Sequence, residues 1–190
     1  MSDAGTGAEL SDEARRRLFA LARRAIEAHL HGTPFHAGDA GGELAERRGV
    51  FVTLRRRADG ELRGCIGFVE PQDCLASAVA RAAAAALEDY RFDPVTIQEL
   101  PQLEMEISVL GEPWAIRPED VQVGIHGLIV RHAGRGGLLL PQVARDRRWD
   151  RETFLEQTCR KAGLPADAWR QPGCEVLAFT AFVLSETSGG

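Results

Sequence analysis

Hydrophobic positions repeat with two different periods along this chain, and the switching between them sets the expected order of elements. Leu18, Ala22, Ala25, Ile26 and His29 fall on one helical stripe. Ser11 stands before it as a cap, Asp12 and Glu13 suit its positive end, and Gly32 and Pro34 stop it. Residues 33–48 are polar and rich in glycine, which predicts a loop. Residues 50–54 and 61–69 then read as two strands around the turn chemistry of Ala58, Asp59 and Gly60, and Pro71 ends the second. An alanine-rich helix is expected over residues 73–90, with Leu75, Val79, Ala83, Ala86 and Leu87 on one side. Thr96 and Glu99 have capping-box spacing and predict one short helical turn.

The clearest alternation lies in Leu103–Leu110, where Leu103, Met105, Ile107 and Val109 point one way and Glu104, Glu106 and Ser108 the other. Gly111 and Pro113 break it. Residues 128–132 and 138–140 read as a pair of strands around a glycine turn at 134–137, followed by a short helix over 141–147. Asp150 caps a further helix that Gly163 closes, and residues 165–169 form a compact turn. Residues 174–185 carry apolar side chains on both faces, which predicts one long, central, buried strand. Strict strand–helix–strand alternation is absent, so the expected fold class is α+β with a mainly antiparallel sheet and flanking helices. Residues 1–10 read as a disordered tail, 11–186 as the folded domain and 187–190 as a second tail.

Composition narrows the classes of function. With 190 residues and a net charge of −5, the chain lacks the basic surplus that phosphate neutralisation asks of a free-standing nucleic-acid binder. The run Arg145, Arg147, Arg148 and Arg151 reads as a solvated face. The four cysteines form no Cys-x-x-Cys pair, the N-terminus has no apolar leader, and no apolar run approaches a membrane span. The expectation is a cytoplasmic protein with free thiols. Lys161 is the only lysine, against an otherwise all-arginine basic set.

Candidate chemistry centres on Leu62-Arg63-Gly64-Cys65-Ile66-Gly67-Phe68. On a regular strand Leu62, Gly64, Ile66 and Phe68 face the core, with Gly64 placed where another backbone comes close. Arg63, Cys65 and Gly67 share the opposite face. A guanidinium beside a thiol favours the reactive thiolate, and Gly67 leaves room along the row, whereas a small buried cysteine is the plainer account. His126, between glycines, is a candidate base or simply a turn histidine. Glu104 and Glu106, about 7 Å apart along one strand face, suit either an acid–base pair or solvent. Arg91 either caps the alanine-rich helix or reaches a cleft, and Lys161 could hold an anion. His29, His31 and His36 lack a recognised ligand spacing, so no metal is expected, and nothing in the chain calls for an organic cofactor. Gly134-Arg135-Gly136-Gly137 reads as a hairpin turn rather than a phosphate cradle, since neither a P-loop lysine nor a dinucleotide fingerprint accompanies it.

Several segments together resemble the AMMECR domain family, also called AmmeMemoRadiSam system protein A. The resemblance rests on Gly49-Val50-Phe51-Val52-Thr53-Leu54, the Arg63-Gly64-Cys65-Ile66-Gly67 signature, Arg91-Phe92, Glu99-Leu100-Pro101, the Leu103–Leu110 strand, residues 124–128, Leu140-Pro141-Gln142-Val143, and residues 159–169. It covers about residues 14–185 in the expected order. The sequence departs from the family pattern at Gly137-Leu138 and at Tyr90. The resemblance implies an α+β fold of two unequal lobes with the signature beside a cleft. It also implies association with a Memo-like protein and a radical S-adenosylmethionine protein. It implies no settled activity.

Two functions stay open on these grounds. One is a cysteine-dependent enzyme. Cys65 would be nucleophile or redox thiol, with His126 and Glu104 as proton carriers. Arg63, Gly64, Gly67, Arg91 and Lys161 would form the substrate site. The other is a non-catalytic module that binds a protein, peptide or RNA.

Overall fold

The computed structural model describes residues 10–38, 40–69 and 73–186. Residues 1–9 of the tail expected over 1–10, the tail expected at 187–190 and the strand stop at Pro71 lie outside the described residues. Leu10, the last position of the expected first tail, is buried and belongs to the core. The described residues fold as two compact units, a larger one drawn from residues 10–110 and 182–186, and a smaller one spanning residues 111–181.

The larger unit is a four-stranded antiparallel sheet backed by two helices. Helix α1 (Asp12–Leu30) starts as its cap predicts, with Ser11 Oγ accepting from the Ala14 N–H at 3.2 Å. It ends at Gly32, whose φ of 66° suits glycine. Strands β1 (Val50–Arg56), β2 (Leu62–Phe68) and β3 (Leu103–Leu110) follow, with helix α2 (Leu75–Ala86) between the last two. The sheet order is β2-β1-β3-β8, where β8 is Ala181–Ser185. The core face carries Val50, Val52 and Leu54, Met105 and Ile107, and Ile66 and Phe68, packed against Leu18, Ile26, Leu75, Val79, Ala83 and Ala86. Buried leucine, isoleucine and valine side chains of this kind each contribute about 1.5–3 kcal/mol. The register pairs Val52 with Ile66 on one side and with Ile107 on the other. The two-residue period therefore puts every core position of the three strands in line, as the sequence pattern requires.

The smaller unit has its own sheet, in the order β4-β7-β5-β6. Its strands are β4 (Trp114–Ala115), β5 (Gly127–His132), β6 (Arg135–Leu139) and β7 (Glu175–Phe179). Helices α3 (Pro141–Asp146) and α4 (Arg151–Lys161) accompany it, and Asp150 caps α4 by accepting from the Thr153 N–H at 2.7 Å. Its core gathers Leu128, Val130, Phe154, Leu155, Cys159 and Leu164.

Three expectations change in detail. The alanine-rich helix stops at Ala86 rather than Tyr90, which frees residues 87–94 to form a loop. The hairpin turn is Ala133-Gly134, both at positive φ, so Gly136 and Gly137 belong to β6. The long strand expected over 174–185 is two strands broken at Thr180, and each half joins a different sheet. β7 is interior to its sheet, whereas β8 lies at an edge. The fold class is α+β, with two antiparallel sheets where one was expected.

Candidate functional site

Strand β2 forms an edge of its sheet, and the helix end of α2 sits on it. A Cβ at Gly64 would stand 2.1 Å from the Ala86 carbonyl oxygen, so only glycine lets the last turn of α2 come this close. This is the close backbone approach that the sequence predicts at Gly64. Gly67 is also obligatory, but its space is taken: a Cβ there would meet Val50 O at 2.2 Å and the Phe51 ring at 2.4 Å.

Arg63 departs from the expected row. Leu54 pairs with Gly64 and Arg55 with Leu62, so Arg63 is the extra residue of a bulge. A bulge re-aims a side chain. Here it turns the guanidinium onto Glu99, with Nε donating to Oε1 at 2.5 Å and Nη2 to Oε2 at 3.0 Å. Nη2 also reaches Pro94 O at 3.4 Å. Arg63 is thus paired to a carboxylate rather than to the Cys65 thiol, and Leu62, expected in the core, lines a pocket instead. Glu99 caps nothing with its side chain, so the capping-box spacing marks the helical turn at Leu100–Gln102 but not the role of the carboxylate.

Cys65 is half-buried and faces Thr53 across the β1–β2 pair, where the Thr53 hydroxyl donates to Sγ at 3.2 Å. Its main chain is held from the sheet's outer side. The Cys65 N–H donates to Asp89 Oδ2 at 2.9 Å, and Arg91 Nη2 donates to the Cys65 carbonyl at 3.4 Å. Asp89 and Arg91 pair with each other through Nε to Oδ1 at 2.9 Å and Nη2 to Oδ2 at 2.5 Å. The two side chains therefore offer β2 an acceptor and a donor where a neighbouring strand would otherwise stand. Asp89 is 2% exposed. The Arg91 guanidinium holds its carboxyl down at about 2, with the Cys65 N–H adding to the lowering and burial opposing it. Arg91 is raised in turn, chiefly by its hydrogen bonds to Asp89, and more weakly by the charges of Asp89, Cys65 and Tyr90.

Beside this lattice lies a pocket of about 530 Å³, lined by Arg56, Glu61, Leu62, Arg63, Tyr90, Arg91, Phe92 and Asp93. Arg56 is held by Asp59 at 2.9 Å and Glu61 at 3.1 Å. Each of the three guanidiniums is thus braced by a carboxylate. Among the described residues, Arg63 Nη1, Arg91 Nη1 and Arg56 Nη2 have no partner. Tyr90 is 89% exposed.

The other expected site residues divide between the units. Glu104 and Glu106 lie on β3, opposite Arg55 and Thr53 respectively, and Arg55 Nε donates to Glu106 Oε2 at 3.3 Å. His126 belongs to the smaller unit. Its Nδ1 accepts from the Gln122 N–H at 3.2 Å, its ring meets Trp114 edge to face, and burial pushes its pKa below the ordinary value. Lys161, also in the smaller unit, is exposed in the last turn of α4, where a cation complements the helix dipole. His29 bonds Glu88 at 3.0 Å, and no cluster of three metal-ligating side chains occurs among the described residues. In the basic run, Arg145 pairs with Asp146 and Arg147 lies over Trp149.

Sequence reasoning missed Asp89, Glu99 and Thr53 as partners of the signature. Asp89 had a readable signal. An Asp-x-Arg step directly after an apolar helix places two opposite charges where the chain must turn.

A family model described as AMMECR1 matches residues 19–184. A protein of Methanopyrus kandleri is 43% identical over 190 residues, covering 95% of this chain and 92% of its own length. One from Thermococcus gammatolerans is 47% identical, with 93% and 92% covered. The crystal structure of an uncharacterised protein from Pyrococcus horikoshii has a TM-score of 0.86, with 43% identity and 94% of each chain covered. Among the described residues, no helix is long and apolar enough to cross a membrane.

Proposed function

The chain belongs to the AMMECR1 family, and from that premise we propose that it is an anion-binding protein whose recognition site is the arginine-lined pocket beside β2. One observation carries this reading: three guanidiniums, each braced by a carboxylate, line one pocket. A braced arginine loses little rotamer freedom when it captures a carboxylate or phosphate, so the cost of ordering is already met by the fold. The remaining edge of each fork is the donor set for that anion. Glycines 64 and 67 serve the site by seating α2 and Phe51. A Memo-like protein and a radical S-adenosylmethionine protein, acting in the cytoplasm, are the partners to which such a module would present its ligand.

The test is calorimetric titration with inorganic pyrophosphate. Saturable binding that weakens at least tenfold in Arg56→Gln, with unchanged thermal stability, is the expected result. Absence of heat at millimolar pyrophosphate, or equal binding by the variant, would remove the reading.

A second reading is favoured by one contact, the Thr53 hydroxyl on Cys65 Sγ. Cys65 would be the reactive thiol, its sulfur oriented by that hydroxyl, and Glu106 would stand on the far side of Thr53 along the same cross-strand row. In this reading Glu104, on the same strand as Glu106, remains a proton carrier. Alkylation rates resolve it. Cys65 would label well ahead of Cys159 and Cys174, whose thiols burial pushes up, and no slower than Cys74, whose thiol the Ser77 hydroxyl lowers; uniform slow labelling of all four would exclude it.

A further inference from the structure

The pocket lining holds three kinds of chemistry, not one. Arg56, Arg63 and Arg91 supply donors for an anion. Asp93 is exposed and has no partner among the described residues, so its carboxylate is free to accept from hydroxyls. Tyr90 presents an almost fully exposed ring, and Phe92 lies beside it in the sequence with the Arg91 guanidinium 5.5 Å from its ring centre. An exposed aromatic residue in a pocket that otherwise favours water is a stacking platform waiting for a flat partner. A simple anion would use only the arginines and leave both the ring and the carboxylate idle.

We propose that the ligand of this pocket is a mononucleotide or a small molecule built on one. The phosphate would bridge the braced guanidiniums, the ribose hydroxyls would donate to Asp93, and the base would stack on Tyr90. A volume of about 530 Å³ falls within the range of small-molecule sites and leaves room for one nucleotide. A long polyanion is disfavoured, because the chain carries a net charge of −5 and Glu61 and Asp93 sit in the lining. This inference rests on the anion-site reading and adds the class of ligand to it.

The experiment is a ladder of probes titrated into the full chain: pyrophosphate, ribose 5-phosphate, AMP, and a 5′-phosphorylated hexaribonucleotide. AMP should bind at least about fivefold tighter than ribose 5-phosphate, the gain expected from stacking one base. Tyr90→Ala should erase that ratio and Tyr90→Phe should keep it, and the exposure of the ring keeps both variants folded. Asp93→Asn should weaken ribose 5-phosphate and AMP alike. If pyrophosphate binds but AMP shows no advantage over ribose 5-phosphate, the nucleotide inference is overturned while the anion site stands. If no probe binds, both fall. Tighter binding of the hexaribonucleotide than of AMP would also overturn it, in favour of an RNA end.

Discussion

Two edge strands of this protein, β2 in the larger unit and β6 in the smaller, solve the same packing problem with different neighbours. At each, a glycine lets the C-terminal end of a helix settle directly on the strand. Gly64 lies under Ala86 of α2, and Gly137 lies under Ala162 just beyond α4, where a Cβ would meet the Ala162 nitrogen at 2.5 Å. Around Gly137 the chain offers Gly136, Leu138 and Leu139, and the contact brings Ala162 and Leu139 into the core. Around Gly64 it offers Arg63 and Cys65, each tied to a charged partner, with a pocket alongside. One device thus serves packing in one place and borders a charged pocket in the other. The difference lies in the loop after the helix. After α2 that loop carries Asp89 and Arg91, whereas α4 is followed by Gly163 and Leu164.

The comparison is broken most forcefully by adding a methyl group to each glycine. Gly64→Ala and Gly137→Ala both press on backbone, so each should destabilise by roughly 3 kcal/mol in urea unfolding, the upper part of the overpacking range. Only Gly64→Ala should also abolish anion binding. Equal loss of binding in both variants would mean that the two contacts are not separable.

Asp89 comes next. Its carboxyl is held at about 2 in the folded chain against an ordinary value of 3.8, and it is buried. The carboxylate's contribution is present above pH 4 and is lost as the pH falls through 2. It amounts to about 2 kcal/mol. Asp89→Asn should lose about that much at neutral pH, and its acid unfolding curve should flatten between pH 4 and 2. Glu99→Gln should cost less, about 1 kcal/mol, because the Arg63–Glu99 pair keeps some contact with water. Its signature would be an Arg63 side-chain resonance that loses its restraint while Asp89 remains low. The smallest effect belongs to the other unit. An NMR titration of His126 should give a midpoint below 6.5, because burial disfavours its charged form, and stability should fall slightly as the pH drops below that value.

Much of the fold was legible because hydrophobic period and turn chemistry agree. Leu103–Val109 alternates apolar and polar residues without exception, and the strand runs over Leu103–Leu110. Ser11 and Asp150 cap the helices that their positions predict. What could not be read was non-local. Nothing in residues 174–185 announces a change of sheet at Thr180, since apolar side chains on both faces suit either sheet. At the site, Gly64 was legible as a close approach, because only backbone proximity needs glycine in an apolar strand row. The bulge at Arg63 was not, since a bulge is defined by its partner strand. The Asp-x-Arg step marks Asp89 as a charged turn residue, but its partner was hidden for a similar reason, since it depends on which N–H lies opposite.

The break at Thr180 also bears on how the polypeptide is made. β7 is the strand that joins β4 to β5, so that sheet stays in two pieces until residues 175–179 have left the ribosome. β8 closes the other sheet on β3, more than seventy positions upstream. Synthesis from the N-terminal end therefore yields a helix-backed hairpin and β3 early, while the middle third of the chain stays without its scaffold. A single late segment completes both sheets, and truncation before residue 175 would leave the smaller unit with the β5–β6 hairpin and β4 without its partner strand.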